Sequence, residues 1–139
     1  MPRLNLQMPT NIIYQTQLRV AIEHINYSQH LGHDSLIKLL HEARVQFFLA
    51  FGMQELNVDG KITMLVTLEV EYKQQAFYGD ELSFAMALGQ HDQKSCELYY
   101  QVMRLKDDKL IALARTGMIF YDPAEQKVAP IPLSLQRLF

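Results

Sequence analysis

Between Ile25 and Gly52 a cluster of polar residues runs straight into a long apolar helix pattern, and few folds accommodate both at once. The stretch reads INYSQHLGHDSLIKLLHEARVQFFLAFG. Leu36, Leu40, Ala43, Phe47 and Phe51 recur at spacings of three and four, which puts them on one face of a helix. Ile37, Leu39 and Phe48 widen that face, so the helix is expected to be covered on most sides. The spacing predicts a helix over 35–51, about 17 residues and roughly 25 Å long. Asp34 or Ser35 is placed to cap its start, and Gly52 stands where a left-handed residue ends many helices. A helix this apolar needs a sheet to cover it.

The rest of the chain supplies strands. From Ile13 to Ile25 the sequence alternates, with Tyr14, Leu18, Val20 and Ile22 against Gln15, Gln17, Arg19 and Glu23. Residues 54–60 form a connector that ends in an Asp-Gly turn signal. Over 61–75, Val66, Leu68, Val70 and Tyr72 alternate with Thr67, Glu69, Glu71 and Lys73. After a Tyr78-Gly79-Asp80 break, Leu82, Phe84, Met86 and Leu88 oppose the small set Ser83, Ala85, Ala87 and Gly89. A strand through Cys96, Leu98, Tyr100 and Val102 follows, then a tight turn at 106–109 and a last strand from Leu110 to Tyr121. Residues 1–11 read as an extended lead-in and 130–139 as a tail with a short amphipathic ending. Short turns imply antiparallel neighbours, so the order predicts an α+β fold: one long central helix wrapped by a curved antiparallel sheet of about five strands. Residues 1–139 make one domain.

A net charge of −2 offers no basic field for nucleic acid. No run approaches a membrane span, and the first residues have no apolar targeting core. A single cysteine excludes an internal disulfide and fits a reducing, cytoplasmic setting; its place in a strand pattern reads as a buried, inert thiol.

The polar loop and helix together resemble the hotdog-fold acyl-CoA thioesterases, in the branch of 4-hydroxybenzoyl-CoA thioesterase and the Tol-Pal-associated enzymes. Many members read D-x-D-x-x-G-H-V-N-N and then carry E-x-A-R on an aromatic-rich helix; here His41-Glu42-Ala43-Arg44 is similar to the latter. Counted back from Arg44, His30 falls on the family's Gly-His histidine and His33 on a second histidine of the Tol-Pal-associated group. The family's catalytic aspartate falls on Asn26, the acidic residue before it on His24, a catalytic-site tyrosine on Ile22, and the glycine before the histidine on Gln29.

The resemblance implies a hotdog fold, a homodimer or homotetramer, and hydrolysis of an acyl-CoA or acyl-carrier thioester with an altered catalytic loop. It implies no metal and no cofactor beyond the coenzyme A of the substrate. Hydrolysis needs a group to activate water and donors for the developing oxyanion. The unpaired amides at the helix start, those of Gly32, His33 and Asp34, can serve as donors, with Tyr27, Gly32 and Asp34 beside the substrate. Asn26 does not titrate, so it is restricted to holding a water or the thioester oxygen. His30 and His33 are candidate bases. Glu42 is another, because a different hotdog branch carries its carboxylate about two turns into this helix, facing a partner subunit's site. A non-catalytic acyl-thioester binding module stands as the alternative. A hotdog enoyl-CoA hydratase is more distant, since Asn26-x-x-x-His30 lacks the Asp and Pro of that loop and is one residue too long.

Overall fold

The apolar helix forms, but two residues earlier than its polar side chains suggest. In the computed structural model, which describes residues 4–139, α1 spans His33–Ala50. Gly32 is its N-cap, with no side-chain cap hydrogen bond, so neither Asp34 nor Ser35 plays the capping role expected of it. The C-terminus ends as the sequence indicates. Gly52 adopts φ 76°, its N–H donates to Leu49 O at 3.1 Å, and Met53 N–H donates to Phe48 O at 2.8 Å. These two bonds are a Schellman motif, and Met53 and Phe48 are both buried beside it.

Six strands flank the helix: β1 Tyr14–Arg19, β2 Ile62–Tyr72, β3 Glu81–His91, β4 Ser95–Arg104, β5 Lys109–Asp122 and β6 Lys127–Ala129. All pair antiparallel in the order β1-β3-β4-β5-β2, with the short β6 added to β5. The sheet is open, with β1 and β2 on its edges. This is the hotdog arrangement, with a sixth strand where about five were expected, because the chain turns back through 123–126 to pair Phe120 with Ala129. A short helix, α2 (Leu133–Gln136), buries Leu135 and accounts for the amphipathic tail.

Leu36, Leu40, Ala43, Phe47 and Phe48 of α1 share one core with Leu82, Phe84 and Met86 of β3 and Leu98, Tyr100 and Val102 of β4. Cys96 is part of that core, and burial pushes its thiol up to about 12. Helix α1 also carries one buried charge. Arg44, 5% exposed, donates to Glu55 at 2.9 Å and to the Tyr100 hydroxyl at 3.2 Å, and that hydroxyl lies 2.9 Å from Thr116 Oγ1. A buried guanidinium is tolerable only with such partners.

Two strands differ from expectation. β1 stops at Arg19 rather than running to Ile25: Val20 N–H turns to Asp80 O, and residues Ile22–His24 form a 3₁₀ turn that leaves Ile22 73% exposed. In β2 the apolar face is only partly covered, because β2 is an edge strand. Leu65 and Leu68 lie opposite the buried Met118 and Thr116, yet stay more than 40% exposed. On the outer face of the sheet, Arg115 gathers Glu69, Glu97 and the Tyr99 hydroxyl. In the lead-in, Leu6 is buried and its N–H donates to Glu71.

Candidate active site

The loop between β1 and α1 is shaped by its own backbone. Asn26 N–H donates to His30 O at 3.0 Å and Gln29 N–H to Asn26 O at 2.9 Å, which closes a tight turn. Gln29 sits at φ 66°, the left-handed region, so it holds the conformation a glycine would adopt freely. Leu31 N–H then donates to Ala76 O at 2.8 Å, tying the loop to the segment after β2.

These bonds orient the side chains. Asn26 Oδ1 accepts from Ser28 N–H at 2.9 Å, which leaves its Nδ2 as the free end of the amide. That Nδ2 lies 3.7 Å from the point where a side chain on Gly32 would begin, and Asp34 Oδ1 lies 2.8 Å from the same point. Glycine there keeps the helix start open. His30 Nδ1 lies 3.1 Å from Leu31 O. A carbonyl only accepts, so Nδ1 carries a proton, and in the neutral ring the lone pair is on Nε2.

A cavity of about 530 Å³ opens at this point. Asn26, Tyr27, His30, Gly32 and His33 all line it, so the structure brings together five of the residues singled out from sequence. Its floor is aliphatic, from the buried Leu31, Leu36, Ala76 and Ile111. Lys73, Gln74 and Gln75 form the opposite wall. That wall is fixed from below, since Lys73 N–H donates to Ile111 O and the buried Arg104 donates to Gln75 O, both at 2.8 Å.

The helix start offers fewer amides than the sequence suggested. Gly32 N–H donates to His24 O at 3.0 Å and is consumed. The amides of His33 and Asp34 donate to no backbone carbonyl among the described residues, and no side chain caps them. They point outward at the positive end of α1.

Glu42 is elsewhere. It accepts from Gln46 at 3.0 Å and lines a second cavity of about 420 Å³, with Arg19, Glu23, His24, Ser35 and Lys38. No residue is common to the two cavities, so the helix separates Glu42 from Asn26 and His30. His24 is turned the same way, with Nδ1 accepting from Ala21 N–H at 2.9 Å. Asp34 is exposed, with Oδ1 beside Gly32, and its side chain is not among those that line the first cavity.

Sequence reasoning missed Tyr72. It counted only as one member of the apolar face of β2, yet its ring lies 4.3 Å from that of His33, its hydroxyl donates to His33 O at 3.1 Å, and it lines the cavity. Its place at the last position of β2, where the strand leaves the sheet, was the available signal.

The family model described as the thioesterase-like superfamily matches residues 20–139. No curated protein matches the chain in sequence. Among solved structures, the 1,4-dihydroxy-2-naphthoyl-CoA thioesterase of Synechocystis superposes with a TM-score of 0.81 at 18% identity, over 90% of this chain and 93% of that one. An aspartate-to-asparagine mutant of 4-hydroxybenzoyl-CoA thioesterase, in complex with 4-hydroxybenzoyl-CoA, gives 0.78 at 18% identity, over 90% and 96%. A hypothetical protein of Staphylococcus aureus in complex with CoA gives 0.81 at 14% identity, over 96% and 85%. These likenesses establish a shared fold.

Proposed function

Because the chain belongs to the thioesterase-like superfamily, we propose that it hydrolyses acyl-CoA or acyl-carrier thioesters in the cytoplasm, at the cavity where the 26–33 loop meets α1. The observation that carries this reading is the convergence of Asn26, His30 and His33 on an uncapped helix start. The thioester oxygen lies against the His33 and Asp34 amides, with Asn26 Nδ2 as a further donor. His30 Nε2 takes a proton from water, and the water oxygen bonds to the carbonyl carbon. The tetrahedral centre collapses, the C–S bond breaks, and the thiolate leaves with the proton that His30 returns. Oxyanion donors of this kind commonly supply the greatest share of the rate enhancement in acyl transfer.

A second reading, a non-catalytic acyl-thioester binding module, is favoured by Asn26 itself. The 4-hydroxybenzoyl-CoA thioesterase neighbour holds its substrate as an aspartate-to-asparagine mutant. Thiol release from a panel of acyl-CoAs separates the two: turnover supports the enzyme, and tight binding without release supports the module. Asn26→Asp sharpens the result. In the hydrolase reading the new carboxylate keeps the bond from Ser28 N–H but removes the Nδ2 donor and places negative charge beside a developing oxyanion. Its rate is therefore expected to stay level or fall. A gain of about tenfold or more, still short of a full general-base contribution, would mark a scaffold whose catalyst had been removed.

The same reading includes a homodimer or homotetramer. Met64, Leu65, Val66 and Leu68 expose apolar surface on an edge strand, and an unpaired edge is a template for another chain. Light scattering is expected to give two or four times the 16.1 kDa of one chain. A stable 16.1 kDa species at micromolar concentration would contradict it.

A further inference from the structure

We propose that Tyr72 is a positioning residue for the oxyanion donors, acting through the peptide unit that joins His33 to Asp34; this rests on the hydrolase reading above. The Tyr72 hydroxyl donates to His33 O at 3.1 Å. The other end of that same peptide unit is the Asp34 N–H, one of the amides at the start of α1 that donate to no backbone carbonyl among the described residues. A hydrogen bond received at the carbonyl polarises the peptide and makes its N–H a stronger donor, by about 10–30% per bond in a chain of such bonds. Tyr72 therefore reaches the reacting oxygen without touching it.

Three further observations fit this role. The Tyr72 ring lies 4.3 Å from the His33 ring at an interplanar angle of 37°, so the first residue of the helix is held at both its carbonyl and its side chain. Partial burial, and then the Asp34 carboxylate, raise the Tyr72 phenol above its ordinary value, so the hydroxyl that donates to His33 O stays protonated further into the alkaline range. Tyr72 also ends β2 beside Lys73, whose N–H is fastened to Ile111 O at 2.8 Å, so the phenol is presented from a pinned strand end.

Tyr72→Phe tests the role, because it removes the hydroxyl and keeps the ring. A lost oxyanion donor commonly lowers kcat by about 10² to 10³; weakening one instead of deleting it is expected to lower kcat about two- to fivefold. KM and the thermal midpoint should stay at native values. A trifluoromethyl ketone analogue of the acyl-CoA, whose hydrate resembles the tetrahedral centre, should bind more weakly by the same factor. A thioether analogue that resembles only the ground state should bind as before. A merely structural tyrosine would move the thermal midpoint or KM and leave the two analogues unseparated. If the native chain turns over and Tyr72→Phe equals it in kcat and in ketone affinity, the inference fails and the hydrolase reading stands. If the native chain releases no thiol from any acyl-CoA, the reading fails and the inference with it.

Discussion

His30→Ala is expected to lower kcat for acyl-CoA hydrolysis by about 10² to 10⁴, the usual range for general-base help, while KM moves little. The basis is geometric. Among the residues lining the cavity, His30 is the imidazole with one nitrogen committed to a backbone carbonyl, at 3.1 Å, so its tautomer and ring plane are set before substrate arrives. His33 stacks on Tyr72 and is expected to show a smaller loss on truncation, since its backbone amide survives the substitution. Glu42→Ala is expected to leave turnover near native, because that carboxylate faces the second cavity. Steady-state thiol release, with thermal melts to confirm folding, checks all three. Equal losses in His30→Ala and Glu42→Ala would remove His30 from the role of base.

Glu55→Ala is expected to be the most damaging single change to stability outside the apolar core, at about 3 kcal/mol. Removing one partner of a buried pair leaves the other charge uncompensated, a cost of roughly 3–5 kcal/mol. The lower end applies because Arg44 keeps its bond to the Tyr100 hydroxyl and because the Glu55 side chain is 19% exposed. The loss corresponds to a thermal midpoint lower by on the order of 10 °C for a chain of this size. Arg44→Met is expected to cost less, because the charge leaves with the side chain while the Tyr100 hydroxyl retains Thr116 and Glu55 retains His41 at 3.4 Å. Urea unfolding of both variants tests the order. An Arg44→Met protein less stable than Glu55→Ala would show that the packing of the arginine stem, and not its charge, is what the core depends on.

What the sequence disclosed followed from local periodicity. The helix was readable because Leu36, Leu40, Ala43, Phe47 and Phe48 face one core, and its end because Gly52 needs a left-handed φ. Its start was misplaced for a physical reason: Asp34 and Ser35 have capping side chains, but the helix begins on a glycine and leaves its first amides uncapped. The loop residues Asn26, His30 and His33 were found through the spacing back from Arg44, and they do share a cavity. Glu42, singled out by likeness to another hotdog branch, lines a different cavity from these residues within one chain. Position along a helix does not say which neighbour it will face, and β1 rather than the loop lies on that side, with Thr16 bonded to Gln46 one turn on. The pairing of Arg44 with Glu55 and of Tyr72 with His33 joins residues from separate elements, so neither leaves a local trace.

The β2–β5 register has a consequence for the order in which the molecule is made. Ile62 pairs with Tyr121 and Tyr72 with Ala112, so β2 waits for nearly the whole chain before its backbone finds a partner. Contacts this distant in sequence form slowly, since closing the intervening loop must precede any gain from it. On the ribosome, α1 and the loop emerge long before β5, and the Met64–Leu68 stripe is left unpaired in the interval. Lys73–Gln75, the cavity wall, rests on Ile111 and Arg104, which arrive late as well. The residues that would bind a thioester are thus translated early, but the pocket that holds them together closes among the last events of folding.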